Sequence, residues 1–393
     1  MIDRRTFFKQ LAAAAAIGLG PGLRRARAYE TPADQGHLIM ILQRGGLDGL
    51  FAFAPIDDPR LASLRPTLAA TVLAQGIRLA GTGFGAHPSC AKLAELYGAG
   101  ELAFAPCAGT IDKSRSHFQA QDLFELGTGR LGGDTGFMAR AAQALGGTGN
   151  AISFTQAVPL AFQGMVVPPE VAPLAGSGLH LPQGEVLEAI RRAHRGRKTG
   201  DELEQAISTE NEIEATAGME IAATRGAPGA NQFPALAQHM GRMLAANPRL
   251  GLAFIDLGGF DTHIAEDANL SRSLDNFSAG IVALKDALGA SAWRRTRLVV
   301  MTEFGRTVHE NGTQGTDHGH GGLALVVGGS IAGARLLAGF PGLAERDLND
   351  SRDLPVLVDW RDLIGQSLAS LFGISSAQLD GVFPGRPGQK ILV

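Results

Sequence analysis

Cysteine is scarce in this chain of 393 residues, with only Cys90 and Cys107 present. Two thiols are too few to staple a protein of this length. They either pair in an oxidising compartment or sit as two small buried apolar residues. Beyond the N-terminal stretch, no long charge-free apolar run occurs, which excludes a stable membrane anchor. Charge is also sparse: 19% of residues are charged and the net charge is −3, so there is no basic field to recruit nucleic acid. Internal repeats and low-complexity tracts are absent, which excludes a repeat array. What is present is an ordinary apolar content of 45% and 53 glycines, many in turns after apolar runs. The length suits one large α/β domain.

The N-terminus reads as an export signal. Asp3-Arg4-Arg5-Thr6-Phe7-Phe8-Lys9 is followed by an alanine-rich apolar stretch from Leu11 to Leu19. Pro21, a basic patch and the small-residue triplet Ala26-Arg27-Ala28 close it. That is the order of a cleavable signal peptide. The paired arginines are the twin-arginine address, read by the twin-arginine translocase and not itself an anchor. The apolar stretch is well short of the ~20 residues a membrane helix needs. Residues 1–28 are therefore expected to be removed, placing residues 29–393 in the periplasm or outside the cell. Because this route carries folded cargo, a metal loaded before export is a natural hypothesis.

Along the mature chain, continuous apolar runs alternate with helical patterns. His37-Leu38-Ile39-Met40-Ile41-Leu42-Gln43, Leu102–Ala105, Leu252–Ile255, Arg297–Met301 and Leu323–Val327 read as strands buried on both faces. Helices are expected at 89–97, 117–126, 273–288 and 357–371; the third has apolar residues near the 3.6 period. Strands alternating with helices imply a three-layer α/β/α fold around a largely parallel sheet. Residues from about 150 to 235 differ, with prolines at 159, 168, 169, 173 and 182 among others and a charged helical stretch at 191–224. This segment reads as a cap or insertion over the sheet.

Polar clusters fall at strand ends, where open α/β sheets bind ligands. Asp48 follows the first strand, and Ser116 and His117 follow the second. Asp256, Asp261 and His263 follow the third, and Glu303 ends the fourth. Asp317, His318 and His320 immediately precede the fifth. Mixed carboxylates and imidazoles are the ligand set of zinc, manganese or magnesium. Asp261-x-His263 can aim two ligands one way if the backbone is extended. Singly, each group reads as a turn or cap residue; their gathering in one half of a sheet is what points to metal. Ser116 is either a plain N-cap, with Gln119 completing a capping box, or a nucleophile at a helix N-terminus where an anion binds. Arg115 could fork a pair of anion oxygens, and Arg44, Arg306 and His117 stand nearby as substrate-binding candidates.

Several motifs together resemble a known group. They are Arg44-Gly45-Gly46-Leu47-Asp48-Gly49-Leu50, Arg115-Ser116-His117-Phe118-Gln119-Ala120-Gln121, Phe260-Asp261-Thr262-His263, Thr302-Glu303-Phe304-Gly305-Arg306-Thr307 and Gly315-Thr316-Asp317-His318-Gly319. With the twin-arginine start and Asp359-Trp360-Arg361-Asp362, they resemble the exported bacterial family called domain of unknown function 1501, grouped with the alkaline phosphatase and sulfatase superfamily. The resemblance implies an alkaline phosphatase-like fold with a dimetal site. It implies Asp48, Asp261, His263, Glu303 and His318 or His320 as metal ligands, Ser116 as nucleophile, and Asp256 near a third, magnesium position. One departure stands out: Glu303-Phe304 occupies the place of an Asp-His pair, so an imidazole is missing. Asp317 or the extra histidine replaces it, or the second metal is absent. Two functions follow. One is a metal-dependent hydrolase of small or polymer-linked phosphate or sulfate esters. The other is a non-catalytic, metal-binding or accessory exported protein that keeps the fold.

Overall fold

A computed structural model describes residues 36–110, 112–147, 150–155, 158–165, 169–171 and 227–392. The expected export signal and the charged stretch at 191–224 lie outside the described residues. No helix among those described is long and apolar enough to cross a membrane.

The main sheet has nine strands among the described residues. In chain order they are β1 His37–Gln43, β5 Leu102–Gly109, β6 Ala151–Ser153, β7 Glu170–Val171, β8 Leu252–Leu257, β9 Thr296–Met301, β10 Gly322–Val327, β11 Arg335–Leu336 and β12 Val358–Asp359. A small antiparallel sheet is formed by β2 Phe53–Ala54, β3 Ile77–Leu79 and β4 Phe84–Ala86. The main sheet runs β11-β5-β10-β9-β1-β8-β6-β7, with β12 also on β5. β1 pairs in parallel with both β8 and β9, Met40 facing Phe254 on one side and Val299 on the other. β10 runs antiparallel to both β9 and β5. Its first residue therefore lies at the edge where the parallel strands end, and that one reversal matters for the site.

Every residue of β1 is buried. Ile39 and Ile41 point into one apolar cluster, Leu38, Met40 and Leu42 into another. A strand that needs cover on both faces reads as a continuous apolar run, because alternation would put polar groups into one of the two cores. The first core is closed by α1 Ala91–Gly98, α4 Phe233–Ala246 and α5 Glu266–Trp293. The second is closed by α3 Phe137–Ala144, α6 Trp360–Phe372 and α7 Ser376–Val382. The expected three-layer α/β/α architecture is thus observed. Helix α2, His117–Leu126, begins beside the site.

The insertion boundary needs correction. Ala151–Ser153 is a strand of the main sheet, in parallel register with Leu252–Phe254 of β8. Phe233 lies in α4 and stacks on Phe277 of α5 at 5.5 Å. Both ends of the presumed insertion therefore belong to the body of the fold. A three-residue strand carries too little periodicity to be recognised from sequence. Cys90 and Cys107 are unpaired and buried, each in a different apolar cluster.

Candidate metal centre

The loop after β8 brings the first ligand candidates to the strand-end edge. Phe260 is fully buried and Thr262 nearly so. Asp261 and His263, on either side of Thr262, meet outside, with His263 Nε2 3.0 Å from Asp261 Oδ1. The segment between β9 and β10 adds His318. Arg306 and His318 form an antiparallel bridge, and Gly319 N–H donates to the Gly305 carbonyl at 2.7 Å. His318 Nε2 comes within 3.0 Å of His263 Nε2 and 3.5 Å of Asp261 Oδ1. His117, the first residue of α2, places Nε2 3.5 Å from Asp261 Oδ2. One ligand atom each from His117, Asp261 and His318 lies within 4.8 Å of the others, a spacing that can close on one ion.

The tautomers of the imidazoles are set from behind. His117 Nδ1–H donates to Glu303 Oε1 at 2.7 Å, leaving Nε2 buried, without a hydrogen-bond partner and aimed at Asp261. His318 Nδ1–H donates to the Arg115 carbonyl at 3.1 Å, again leaving Nε2 for the cluster. That carbonyl is held by a left-handed backbone at Arg115 (φ 53°), a conformation few non-glycine residues adopt. The hydrogen bond to Glu303 raises the His117 pKa above its ordinary value, against the opposing effect of burial. Burial lowers that of His318, and the charges of His117, Arg306 and His263 lower it further. For Asp261, burial works upward, but the Arg306 guanidinium and the two histidines outweigh it and hold the carboxyl below its usual range. An ionised carboxylate beside imidazole nitrogens with free lone pairs is a donor set for a divalent cation.

Other expected ligands do not join. Asp48 is the N-cap of the one-turn helix Gly49–Ala52, its Oδ1 accepting from Leu50 N–H and its Oδ2 paired with Arg65 in full burial. The Glu303 side chain is fully buried, and its Oε1 accepts from Gly45 N–H (2.9 Å), His117 Nδ1–H (2.7 Å) and Gln121 Nε2–H (3.0 Å). Burial alone would raise its pKa; those hydrogen bonds overcome it and hold the group below its usual range. His320 is buried with Nε2–H donating to the Thr110 carbonyl at 2.8 Å, away from the cluster. Asp317 is exposed, and its nearest approach to the cluster is 3.9 Å from His263 Nδ1. Asp256 accepts from Arg44 Nε–H at 2.6 Å, so its charge is already matched. Phe304, standing where an imidazole was expected, packs its ring against His117 and His318 at 4.9 and 4.7 Å.

The arginines are engaged as well. Arg306 is buried and donates to the carbonyls of Gly45, Gly46 and Thr316 and to Asp261 Oδ1 (2.6 Å). It braces the centre and offers no free fork to a substrate. The close approach requires glycine at 45: its φ is +122°, and a Cβ there would sit 2.3 Å from the Asp261 nitrogen. Arg44 spans Asp256, Gln121 and Glu125. Arg115 reaches Asp353 at 2.8 Å and Asp350 at 3.5 Å. Ser116 takes the N-cap position of α2, but its side chain makes no capping hydrogen bond, so the capping box with Gln119 is not formed. Its partly exposed hydroxyl stands next to His117 at the N-terminal end of the helix.

Four contributors are new or take a different role from the one expected. His117 was placed with the substrate-binding candidates and instead points into the cluster. Gln121 and Glu125 follow it at intervals of four residues, so all three share one face of α2 and meet Glu303 and Arg44 there. That spacing was legible. Glu266, buried against Asp48 and accepting from Thr316 Oγ–H at 2.7 Å, carried no local signal.

Residues 108–383 match the family model described as "Protein of unknown function (DUF1501)". No curated protein matches the chain. Among solved structures, the chain is similar to a protein of the alkaline phosphatase superfamily from Vibrio parahaemolyticus (12% identity, TM-score 0.40, covering 86% of this chain and 71% of that one). It is also similar to BT1596, a 2-O GAG sulfatase (11%, 0.38, 91% and 76%). A third is the alkaline phosphatase of the Antarctic bacterium TAB5 (9%, 0.31, 75% and 91%).

Proposed function

The chain belongs to the DUF1501 family, and on the geometry of its strand-end cluster we propose that it is an exported metal-dependent hydrolase of phosphate or sulfate esters. One observation carries this reading: His117, Asp261 and His318 each bring a ligand atom within 4.8 Å of the others, and Ser116, the residue before His117, makes no capping hydrogen bond. The buried, unpartnered Nε2 of His117 supports the fit of a metal there. His117, Asp261 and His318 would hold one ion, zinc or manganese or magnesium, with His263 at its margin. When bound, the ion supplies Lewis-acid charge that favours an ionised hydroxyl and stabilises oxygen charge in the transition state. Asp48 and Glu303 are engaged elsewhere, His320 turns its Nε2 to the Thr110 carbonyl, and no second donor set stands among the described residues, so this reading has one metal, not two.

Ser116 attacks phosphorus or sulfur through Oγ, the ester oxygen departs as an alcohol, and water then hydrolyses the seryl ester. The first N–H groups of α2, with the positive end of the helix, receive the non-bridging oxygens. Arg115, already paired with Asp353, contributes its carbonyl to the orientation of His318 in place of an anion fork. The paired Arg4-Arg5 supports export by the twin-arginine translocase; exchanging both for lysine should leave the protein in the cytoplasm.

The assay is turnover of aryl phosphate and aryl sulfate by protein lacking residues 1–28, with added zinc or manganese. Ser116→Ala should abolish turnover of the preferred ester without releasing metal, and equal rates for wild type and variant would remove Ser116 as nucleophile. The sequestration of Asp48 and Glu303 favours a second reading, a metal-binding protein without hydrolytic activity. Retained metal with no turnover of either ester would select it.

A further inference from the structure

We infer that Glu303 is a positioning residue for His117 and not a metal ligand, an inference that rests on the single-metal reading above. Its carboxylate lies on the Nδ1 side of the His117 ring, opposite the nitrogen that faces Asp261. Three donors already converge on Oε1, and Oε2 lies 3.1 Å from the Thr302 hydroxyl. Its Oε1 is thus committed to three protein donors, and the carboxylate stands outside the group of ligand atoms formed by His117, Asp261 and His318. What it does is fix a tautomer: with the proton held on Nδ1, only Nε2 can accept a metal, and the ring plane is set by a 2.7 Å hydrogen bond.

The carboxylate is itself clamped. Gln121, one turn along α2, donates to Glu303 with its amide nitrogen and accepts from Arg44 with its amide oxygen. Arg44 is held in turn by Asp256 and Glu125. The glycine turn at Gly45 aims its N–H at the same oxygen. Strand end, turn and helix thus converge on one acceptor atom whose remaining partner is His117. Phe304 packs its ring against both His117 and His318.

The test is a zinc-binding cycle on the full mature protein, titrated against a chromophoric chelator. Wild type, Glu303→Gln, His117→Ala and the double variant are compared, with thermal melts to confirm folding. Glu303→Gln should weaken zinc ~10–100-fold when His117 is present, as loss of an outer partner of a ligating histidine does. In the His117→Ala background the same change should shift affinity by less than about threefold, because the residue through which Glu303 acts is gone. Should Glu303→Gln fail to fold, Gln121→Ala loosens the same clamp and must show the same dependence on His117. Equal losses in both backgrounds, or no loss in either, overturn the positioning role while leaving the metal site intact. Failure of wild type to bind zinc, manganese or cobalt overturns the metal reading itself, and this inference with it.

Discussion

Replacing Glu266 by glutamine should flatten the dependence of stability on pH. Glu266 is fully buried at the N-terminal end of α5 and faces Asp48, which is bound to Arg65. Burial raises its pKa first, and the neighbouring Asp48 carboxylate adds to the effect, pushing it from 4.5 to about 9. Across the interval between those values the folded chain keeps a proton that the unfolded chain has released. Folding therefore takes up a proton, and stability falls as pH rises: the contribution is complete below the unfolded value and lost as pH passes the folded one. One proton corresponds to about 1.4 kcal/mol per pH unit, so wild type should lose about 2.7 kcal/mol relative to Glu266→Gln between pH 6 and pH 8. The glutamine amide is neutral throughout, can donate toward Asp48 and can still accept from Thr316. Other titrating groups are common to both proteins and cancel in the difference. Urea denaturation at a series of pH values, with no metal added, measures it. Parallel pH slopes for the two proteins would refute a proton held at Glu266.

Arg65→Met should destabilise the fold by ~3–5 kcal/mol by leaving Asp48 buried without its cation, and adding Asp48→Asn should recover most of that. A single-variant loss below about 1 kcal/mol in denaturant titration would mean that the pair is solvated. Gly305→Ala should lower the thermal midpoint and weaken metal binding together, because a Cβ there lies 1.9 Å from the Gly321 carbonyl oxygen and would push apart the segment carrying Arg306 and His318. An unchanged midpoint contradicts that packing. Both thiols are pushed up to about 12 by burial. The native protein should therefore resist a thiol reagent at pH 8 and show two reactive thiols per chain once denatured, with no reductant added. Zero thiols without reductant would restore the disulfide alternative.

Five of the nine described strands of the main sheet, β1, β5, β8, β9 and β10, are legible because both their faces are buried, and two buried faces leave only continuous apolar runs. Helices α1, α2, α5 and α6 are legible from the sequence, although α5 extends beyond its expected ends to Glu266 and Trp293, whereas α3, α4 and α7 are not. Asp261, His263 and His318 were legible as strand-edge groups. That His318 reaches the others depends on β10 running antiparallel, which turns the start of that strand toward the ends of its neighbours. Glu303 was placed at the correct edge and given the wrong partner. Its three hydrogen-bond donors come from positions 45, 117 and 121, and nothing near residue 303 announces them.

By itself the sequence determined the layered α/β architecture, the edge of the sheet that carries the chemistry and most of the residue types gathered there. These depend on local periodicity and on the rule that strand ends open onto a crevice. The tertiary structure alone decided which polar groups face one another. Asp48 went to Arg65 and Glu303 to His117, leaving His117, Asp261 and His318 as the set free to close on a metal. The physical reason is that a buried charge must be matched. Which partner matches it is settled by packing between segments up to hundreds of residues apart, where a local pattern carries no information.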